Sequence, residues 1–469
     1  MFRLTLPQEQ ALANQQTILP GIESGQGAPM ISGQGFPMID AQTMQAGEDM
    51  HALATRLFPL CRSLTGNGVR ETLTILKEHL PALNIHEVSS GTKCFDWEIP
   101  PEWNVREAWV EDPDGQRIID FKNHNLHLVG YATPIDCQMD LDELQTHLHS
   151  LPEAPNAIPY ITSYYQERWG FCLTDTQRQM LKGGTYRVKI DADLNPAGHM
   201  TYADLLIPGE SREEVFLSTY VCHPSMANNE LSGPMVATWL AKWVRSAPRR
   251  YTYRFVFIPE TIGSICYLSN HLVHLKAYVH AGFNLTCMGD ELSYSYLPSR
   301  AGDTLSDRAA QHVLSHMAPD FIRYDWLSRG SDERQYCAPG VDLPVASIMR
   351  SKFHEYPEYH TSLDDLSLVT PKGLAGGYLA VRRALECIEA NKVWRATTLC
   401  EPQMGRRGLY STLGTRTPET ATRLRMHILS YADGNHDLLA LAELLRTPAW
   451  ELVPFVEELA AHGLLEDVG

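Results

Sequence analysis

Closely spaced cysteine pairs are missing from this sequence of 469 residues. It contains 10 cysteines, and no two of them stand in a CxxC arrangement. Cysteines this sparse and scattered do not build a disulfide framework. We therefore expect reduced thiols that are mostly buried. Cys222 has the most interesting position, because it stands beside His223 and is expected to line a site.

Positive charge is also scarce, and long apolar runs are lacking. Lys and Arg number 39 against 56 Asp and Glu, which gives a formal net charge of −17. This balance argues against nucleic acid and anionic membranes as partners, because both bind basic surfaces. The opening residues, MFRLTLPQEQ, lack the pattern of a secretion signal, and no run reaches the ~18 apolar residues of a membrane span. We expect a cytoplasmic enzyme.

The length exceeds one ordinary hydrophobic core, and the residue patterns divide the chain. Residues 1–45 contain a tandem octapeptide, GQGAPMIS then GQGFPMID, which predicts a flexible arm or, alternatively, a homo-oligomer contact. Residues 86–199 show short strand-like runs between Pro and Gly turns and predict a β-rich module. This module interrupts an α/β domain made from residues 46–85 and 200–400. Its alternating strands and helices predict a mostly parallel sheet with helices on both faces.

Residues 405–469 predict a third module. Three helical stretches and a closing Gly-Leu-Leu turn are typical of a winged helix. The span from Thr417 to Gly469 carries three basic residues against nine acidic ones. Such a balance does not neutralise phosphates, so we expect a module that packs or binds protein and does not bind nucleic acid.

Four stretches of the α/β domain carry metal-compatible side chains, and each follows an apolar run of strand length. They are HPSMANNE (223–230), IPETIGS (258–264), RGSDERQY (329–336) and EYPEYHTSLDD (355–365). Open α/β sheets bind ligands at the carboxyl ends of their strands. Imidazole and carboxylate together suit zinc, which takes about three protein ligands in catalytic sites. His223, Glu260 and His360 would complete such a set.

On these motifs the chain resembles the zinc aminopeptidases, a family that includes glutaminyl cyclases. It is most similar to a bacterial branch with an inserted small β domain and a C-terminal winged helix, over about residues 50–469. His223 and the pair His360-Thr361 match the first and last positions of the family motif. Ser331-Asp332 matches a Ser-Asp pair ahead of a Gly-x-x-x-Pro strand. The resemblance implies a zinc-exopeptidase fold and a zinc-dependent hydrolase.

The chain departs from the family pattern at three positions. Asn229 stands where an aspartate bridges two zinc ions, Pro259 stands where the first of two glutamates is expected, and Thr286 falls near the place of a further aspartate. A neutral amide offsets the repulsion between two cations poorly. We therefore expect one zinc ion, bound by the three ligands named above, with Asn229 as a further candidate.

The family mechanism needs a carboxylate that accepts a proton from the attacking water. Glu230, displaced by one residue along its turn, is the first candidate and would otherwise be an extra metal ligand. Glu260 is the second. Asp332 is the third, because glutaminyl cyclases use a comparable aspartate near a single zinc ion.

Five side chains are candidates for substrate contact, three arginines for a carboxylate and two aromatic residues for a cleft: Arg300, Arg329, Arg350, Tyr164 and Trp169. The arginines would otherwise have surface or salt-bridge roles. The aromatic stretch 160–171 would otherwise fill the core of the β-rich module. Arg62 and Arg70, beside a Gly-Asn-Gly turn, are expected to bind a carboxylate or to cap a helix.

These expectations define a preferred function and two alternatives. The preferred function is hydrolysis of an amide bond in a small peptide or in an aminoacyl or N-acyl metabolite. In the first alternative the zinc stays and the substrate's own amine attacks, as in glutaminyl cyclisation. The second alternative is a non-catalytic binding or scaffold protein, which the missing aspartate and glutamate suggest.

Overall fold

The computed structural model describes residues 39–409 and 420–469. The predicted N-terminal arm and its octapeptide repeat lie almost wholly outside these ranges. The described chain opens with helices α1 (Ala41–Leu57) and α2 (Asn67–His79) and strand β1 (Asn84–Ser89). Residues 41–45 fall within the predicted arm but belong to α1. The reason is local, since the Asp40 carboxylate accepts a hydrogen bond from the Thr43 N–H and caps the helix.

Residues 93–195 form sheets of their own. They contain strands β2 (Lys93–Cys94), β3 (Trp97–Glu98), β4 (Glu102–Glu111), β5 (Arg117–Asp120), β6 (Ile135–Asp140), β7 (Leu148–His149), β8 (Phe171–Cys172) and β9 (Thr185–Asn195), with short helices α3 (Leu141–Gln145) and α4 (Asp175–Gln179). Four of the strands make an antiparallel sheet in the order β5-β4-β9-β6. We call this part of the chain the inserted domain, because the strands before and after it belong to a different sheet.

That second sheet is the centre of the α/β domain. Its further strands are β10 (His199–Ile207), β11 (Glu214–Tyr220), β12 (Thr252–Ile258), β13 (Val279–Asn284), β14 (Ser295–Leu297), β15 (Ile322–Arg323) and β16 (Val345–Met349). The order is β1-β10-β12-β11-β13-β16-β14-β15. The four central strands, β12, β11, β13 and β16, are parallel, whereas β10 and β14 pair antiparallel with them. The predicted parallel arrangement therefore holds at the centre, and the sheet as a whole is mixed.

The sheet is covered on both faces. Helices of this domain are α5 (Ser232–Arg245), α6 (Ile262–Tyr278), α7 (Leu305–Met317), α8 (Glu333–Tyr336) and α9 (Pro371–Ala390). Side chains alternate across each strand: Val215 and Leu217 join the core formed with α1, α5, α7 and α9, while Phe216 joins the core shared by α6, α8 and the inserted domain. Continuous apolar strands result because neither face meets water.

The C-terminal part has three helices and a small sheet. It contains β17 (Val393–Ala396), α10 (Thr420–Tyr431), β18 (Asp433–Asp437), α11 (Leu438–Leu445), α12 (Ala449–Ala461) and β19 (Leu465–Asp467), and β17 lies between β18 and β19. Strand β17 thus precedes the start that the sequence predicts at residue 405. Arg308 of α7 binds the Asp437 carboxylate through two hydrogen bonds of 2.6 and 2.7 Å, which ties this part to the α/β domain.

Helix α9 is the longest described helix, with 20 residues. Across residues 39–409 and 420–469, no helix combines the length and the hydropathy that crossing a membrane requires.

Glu102 joins the inserted domain to the α/β domain. Its carboxylate accepts hydrogen bonds from both terminal nitrogens of Arg70 on α2, from the His199 N–H on β10 and from the Asn104 amide. Arg70 thus binds a carboxylate with two nitrogens, one of the two roles that its position predicts. Burial alone would raise the pKa of Glu102, but these hydrogen bonds lower it to about 2.

The Glu102→Gln variant is expected to lose about 1 to 2 kcal/mol of unfolding free energy at pH 7, after allowance for solvent screening. The folded carboxyl has the lower pKa, so its contribution is complete above the unfolded pKa and disappears as the pH falls toward 2. Urea unfolding of both proteins between pH 7 and pH 3 measures this. Glu87→Gln is the matched control, since Glu87 is a half-exposed partner of the same Arg70. If the unfolding free energy lost in Glu102→Gln did not change with pH, the ionised Glu102 carboxylate would not be the stabilising group.

Candidate metal centre

The carboxyl ends of the central parallel strands meet at one edge of the large sheet. His223 closely follows β11, Glu260 follows β12, and Thr286 follows β13. The loop after β16 carries His360. Adjacent parallel strands bring their following loops together, so side chains far apart in sequence become neighbours here.

The turn from Tyr220 to Gly233 is buried at every residue. It contains a π-helical turn, Ala227–Leu231, before α5 begins at Ser232. Its backbone is held from the His360 loop. The Asp364 carboxylate accepts hydrogen bonds from the N–H groups of Ala227, Asn228 and Asn229 at 3.2, 2.6 and 3.0 Å. Asp364 belongs to the EYPEYHTSLDD stretch, but the sequence assigned it no role. The reason is that the N–H groups it binds lie more than 130 residues away in the chain.

His223 has one ring nitrogen held by the protein and the other facing a second carboxylate. Its Nδ1 lies 2.7 Å from Glu230 Oε2, and its Nε2 lies 3.6 Å from Glu260 Oε2. Burial lowers the pKa of His223 to about 3, and the charge of Arg62 contributes. His223 is therefore neutral. When the shared proton lies on Nδ1, the Glu230 carboxylate accepts it in a hydrogen bond and the Nε2 lone pair is free to bind a cation.

Glu230 lies behind His223. Its Oε1 is 3.5 Å from Arg62 Nε, and both side chains are completely buried. Arg62 also donates hydrogen bonds to the carbonyl oxygens of His223 and Leu57, at 3.0 and 2.6 Å. Burial raises the pKa of Glu230, and the charge of Arg62 opposes this effect and favours the carboxylate form that accepts the Nδ1 proton. These contacts do not support Glu230 as the first candidate for proton acceptor, because its carboxylate is occupied on the Nδ1 side of the ring. The position fits an orienting role.

An orienting role for Glu230 predicts a difference between two variants. Glu230→Gln retains a carbonyl oxygen for the Nδ1 proton, so zinc affinity should change little. Glu230→Leu removes that acceptor, and zinc affinity should fall ~10–100-fold, as is usual when the partner of a metal-binding histidine is lost. Chelator competition measures both affinities. Turnover at saturating zinc that is abolished by Glu230→Gln alone would instead show a proton-transfer role.

The carboxyl group of Glu260, whose side chain is 20% exposed, interacts with that of the fully buried Asp332. The Glu260 N–H donates to Cys222 Sγ at 3.2 Å, which places the Cys222 thiol between the His223 and Glu260 loops. Asp332 Oδ1 accepts hydrogen bonds from the Thr261 N–H and the Ser264 hydroxyl, both at 2.8 Å. Its Oδ2 is buried and has no hydrogen-bond partner among the described residues. Burial raises the pKa of both carboxyl groups, and the charge of Asp332 further raises that of Glu260.

His360 completes the cluster from the loop after β16. Its ring stacks on Tyr359, with centroids 3.9 Å apart, and lies 5.5 Å from the His223 ring. Its Nε2 is buried without a hydrogen-bond partner in the described chain. Burial lowers the pKa of His360 to about 2, and the neighbouring His223 and His354 contribute. A buried neutral imidazole with a free nitrogen is a good metal ligand.

Asn229 belongs to a closed ring of neutral hydrogen bonds. Its Nδ2 donates to Tyr220 Oη at 2.9 Å, and Tyr220 Oη lies 2.5 Å from Thr286 Oγ1. Thr286 Oγ1 then donates to the backbone carbonyl oxygen of Asn229 at 3.0 Å. This arrangement leaves Asn229 Oδ1 buried and without a hydrogen-bond partner in residues 39–409 and 420–469. The two positions where the family pattern expects aspartates are thus joined by neutral groups.

The residues present fit one cation. Two ligand atoms at 2.0–2.2 Å from a tetrahedral zinc ion stand roughly 3.4 Å apart, and His223 Nε2 and Glu260 Oε2 are separated by 3.6 Å. His360 Nε2 and Asn229 Oδ1 are two further candidate metal-ligand atoms. Both are buried and have no hydrogen-bond partner among the described residues. Among the described residues, the one set of three ligand atoms that all lie within 4.8 Å of one another comes from Cys222, His223 and Glu230. This set surrounds His223 Nδ1 beside the Arg62 guanidinium, whose charge repels a cation.

The three predicted substrate arginines have partners elsewhere. Arg300 pairs with Asp342, Arg350 donates to the Asp290 carbonyl oxygen at 2.7 Å, and Arg329 lies over the Trp326 ring. Their expected role as substrate contacts is therefore not supported. Arg334, which the sequence reasoning missed, donates to Thr261 Oγ1 at 2.7 Å, directly after Glu260. Its position two residues after Asp332 was the available signal.

The two aromatic residues that were predicted to contact substrate, Trp169 and Tyr164, lie in different surroundings. Trp169 stacks on His147 within the inserted domain, with centroids 3.6 Å apart, so it serves the core of that domain. Tyr164 Oη lies 2.9 Å from Tyr160 Oη, and the Tyr160 ring lies 5.3 Å from the His223 ring. Tyr160 is therefore the aromatic residue at the cluster, and Tyr164 supports it.

Two family models match consecutive parts of the chain. Residues 51–391 match the family described as "Domain of unknown function (DUF4910)", and residues 392–467 match a winged helix-turn-helix. The chain belongs to the DUF4910 family. A relative from Clostridium acetobutylicum is provisionally named a polysaccharide biosynthesis protein with an aminopeptidase-like domain. It is 42% identical over 400 residues, which cover 85% of this chain and 91% of the relative.

Solved structures connect this DUF4910 protein to the aminopeptidase fold. A crystal structure from C. acetobutylicum, provisionally named a peptidase, has a TM-score of 0.86 at 39% identity and covers 91% of this chain and 98% of its own. BSAP, a zinc aminopeptidase from Bacillus subtilis, has a TM-score of 0.53 at 12% identity and covers 74% of this chain and 94% of its own. The second likeness shows the fold alone. The predicted aminopeptidase-like fold and the C-terminal winged helix are confirmed.

Proposed function

We propose that this DUF4910 protein is a zinc-dependent hydrolase that cleaves an amide bond in a small peptide or in an aminoacyl or N-acyl metabolite. One observation carries the proposal. His223 Nε2 lies 3.6 Å from Glu260 Oε2 at the sheet edge, and the His360 ring lies 5.5 Å from the His223 ring. His360 Nε2 and Asn229 Oδ1, on the same set of loops, are buried without hydrogen-bond partners in the described chain. Unpartnered buried acceptors are costly, and a bound cation would satisfy them.

One zinc ion per chain is the stoichiometry that the donor set supports. The His223, Glu260 and His360 side chains would bind it, and Asn229 offers a neutral oxygen. Zinc at this position would lower the pKa of water toward ~7 and polarise a carbonyl group. The neutral ring of Asn229, Tyr220 and Thr286 supplies no negative charge for a second cation.

Asp332 is the proposed proton acceptor. Its Oδ1 is fixed by the Thr261 N–H and the Ser264 hydroxyl, while its buried Oδ2 remains available. A carboxyl group whose pKa is raised by burial accepts a proton well and returns it readily near neutral pH. In the reaction the oxygen of water bonds to the carbonyl carbon and the C–N bond breaks. Asp332 passes the proton from water to the leaving amine.

Metal analysis and a substrate screen test the proposal. Protein purified without chelator is expected to contain about one zinc per chain. The zinc-loaded protein should hydrolyse one class among aminoacyl amides, dipeptides and N-acyl amides. N-acetylated amino sugars belong in the screen, given the name of the clostridial relative. Less than ~0.2 zinc per chain, with no activity restored by zinc, cobalt or manganese, would contradict the proposal and favour a binding or scaffold role. Release of ammonia without uptake of water would instead show cyclisation.

We also propose that the winged helix is a packing or protein-interaction module. Its α11 and the start of α12 face α7, where His312 Nδ1 lies 2.6 Å from Glu443 and His312 Nε2 accepts the Ala449 N–H at 2.9 Å. The module is acidic, and electrostatic attraction to phosphates is absent. A labelled DNA duplex should show no mobility shift with the protein at low ionic strength, and a shift would contradict this assignment.

A further inference from the structure

A segment of the inserted domain runs along the loop that carries His360. We call residues 158–164 the strap. The Tyr160 N–H donates to the His360 carbonyl oxygen at 2.9 Å, and the Ser362 N–H donates to the Ile158 carbonyl oxygen at 2.9 Å. The Ile158 N–H donates to Ser362 Oγ at 2.9 Å, and Pro159 pairs with Thr361 as an isolated antiparallel bridge. The metal loop is thus paired with a backbone that lies about 200 residues earlier in the chain.

The strap also provides a wall of the cluster. The Tyr160 ring lies 5.3 Å from the His223 ring and 5.1 Å from the His360 ring, and it meets the latter edge to face. The Tyr160 hydroxyl lies 2.9 Å from that of Tyr164. One aromatic side chain of the inserted domain therefore contacts both histidines of the proposed ligand set.

The other side of the strap is fixed within the inserted domain. The Gly130 N–H donates to the Ile161 carbonyl oxygen at 2.9 Å, and the Ser163 N–H donates to the Gly130 carbonyl oxygen at 2.8 Å. Gly130 and Thr162 form a further isolated bridge. The strap is consequently held on both sides and can transmit the position of the inserted domain to His360.

His360 needs such support because its backbone is strained. Its φ is 54°, in the left-handed region that residues other than glycine seldom occupy. This conformation is unfavourable for a residue with a Cβ atom and persists only where the surroundings impose it. The hydrogen bond from Tyr160 to the His360 carbonyl oxygen acts directly on the strained residue.

We propose that the strap positions His360 for metal binding, so that the inserted domain is part of the metal site and not an appended module. The inference rests on the proposed function, because it concerns the same zinc site. Positioning is reciprocal: if the strap raises zinc affinity, bound zinc must stabilise the strap by the same free energy. Ser362 and Tyr160 are positioning residues in this arrangement.

Zinc affinity of strap variants tests the proposal. Ser362→Ala removes the acceptor of the Ile158 N–H, and Tyr160→Ala removes the wall. Chelator competition should show zinc affinity lowered ~10-fold in Ser362→Ala. In Tyr160→Ala it should be lowered on the order of 10–100-fold, as for other residues that support metal ligands. Tyr160→Phe, which retains the ring, should bind zinc almost normally. Tyr165→Ala is the matched control, because Tyr165 directly follows the strap and is exposed.

Hydrogen exchange provides a second readout that does not depend on activity. Zinc should slow exchange of the Tyr160 and Ser362 amides in the wild type, and less so in Ser362→Ala. Thermal unfolding of the metal-free variants identifies any that fail to fold, and Ser362→Ala is the mildest of them. Wild-type zinc affinity in both Ser362→Ala and Tyr160→Ala would overturn the inference alone. Absence of zinc binding by the wild type would overturn the proposed function and the inference together.

Discussion

Replacing His360 by asparagine is expected to remove zinc binding almost completely, with a loss of affinity of at least ~10³-fold and a parallel loss of hydrolysis. The imidazole is one of the three ligands that we propose, and its Nε2 has no hydrogen-bond partner in the described chain. Asparagine tolerates the left-handed backbone that His360 adopts, so the variant removes the ligand without adding strain. Zinc content after gel filtration and chelator competition measure the effect.

His354→Asn is the matched control for this variant. His354 belongs to the same loop and also has a positive φ, of 68°, while its ring lies 6.5 Å from that of His360. The control should retain zinc and activity. If His360→Asn retained one tightly bound zinc ion, His360 would not be a ligand. The group formed by Cys222, His223 and Glu230 would then be the alternative metal site.

The second large effect is expected for Asp332→Asn, with kcat lowered ~10²–10⁴-fold and zinc still bound. Asparagine retains the oxygen that accepts the Thr261 and Ser264 hydrogen bonds, so the turn after Glu260 should keep its shape. It replaces Oδ2, the atom without a partner, by an amide nitrogen that accepts no proton. Zinc content and steady-state kinetics measured on the same sample separate metal binding from proton transfer.

Asp342→Asn provides the comparison for Asp332→Asn. Asp342 is exposed and pairs with Arg300, and its replacement should leave both zinc content and kcat unchanged. Full activity of Asp332→Asn would rule out proton transfer by this residue. Loss of zinc from Asp332→Asn would instead give the carboxylate a role in holding Glu260 for the metal.

The sequence was informative about strands and about the residues that follow them. The run Val215–Val221 is apolar except at Ser218 and Thr219, and such a nearly continuous apolar run is the pattern of a strand buried on both faces. The residues that follow the carboxyl end of such a strand can be identified from the order of the sequence alone. His223 and Glu260 were therefore identifiable as candidates at strand ends, and the structure shows that β11 and β12 are adjacent and parallel.

Contacts between side chains distant in sequence were beyond prediction. Arg62 reaches the His223 carbonyl oxygen across 161 residues and faces the buried Glu230. These contacts are the reason why we propose that Glu230 orients His223, in place of the proton-accepting role expected from the sequence. Arg300 and Arg350 were expected at the site from chain position, but each has a nearer partner. No local pattern reports which of several carboxylates or carbonyl oxygens an arginine will meet.

By itself, the sequence determined the α/β class with its alternating strands and helices, the presence of a C-terminal winged helix, and which histidines and carboxylates follow strand-like runs. These properties depend on local pattern and chain order, which are encoded residue by residue. The tertiary structure alone decided that Tyr160 of the inserted domain lies against His223 and His360, and that Asp364 supports the buried turn. Such pairings depend on how separate elements pack, and only the folded chain brings them together.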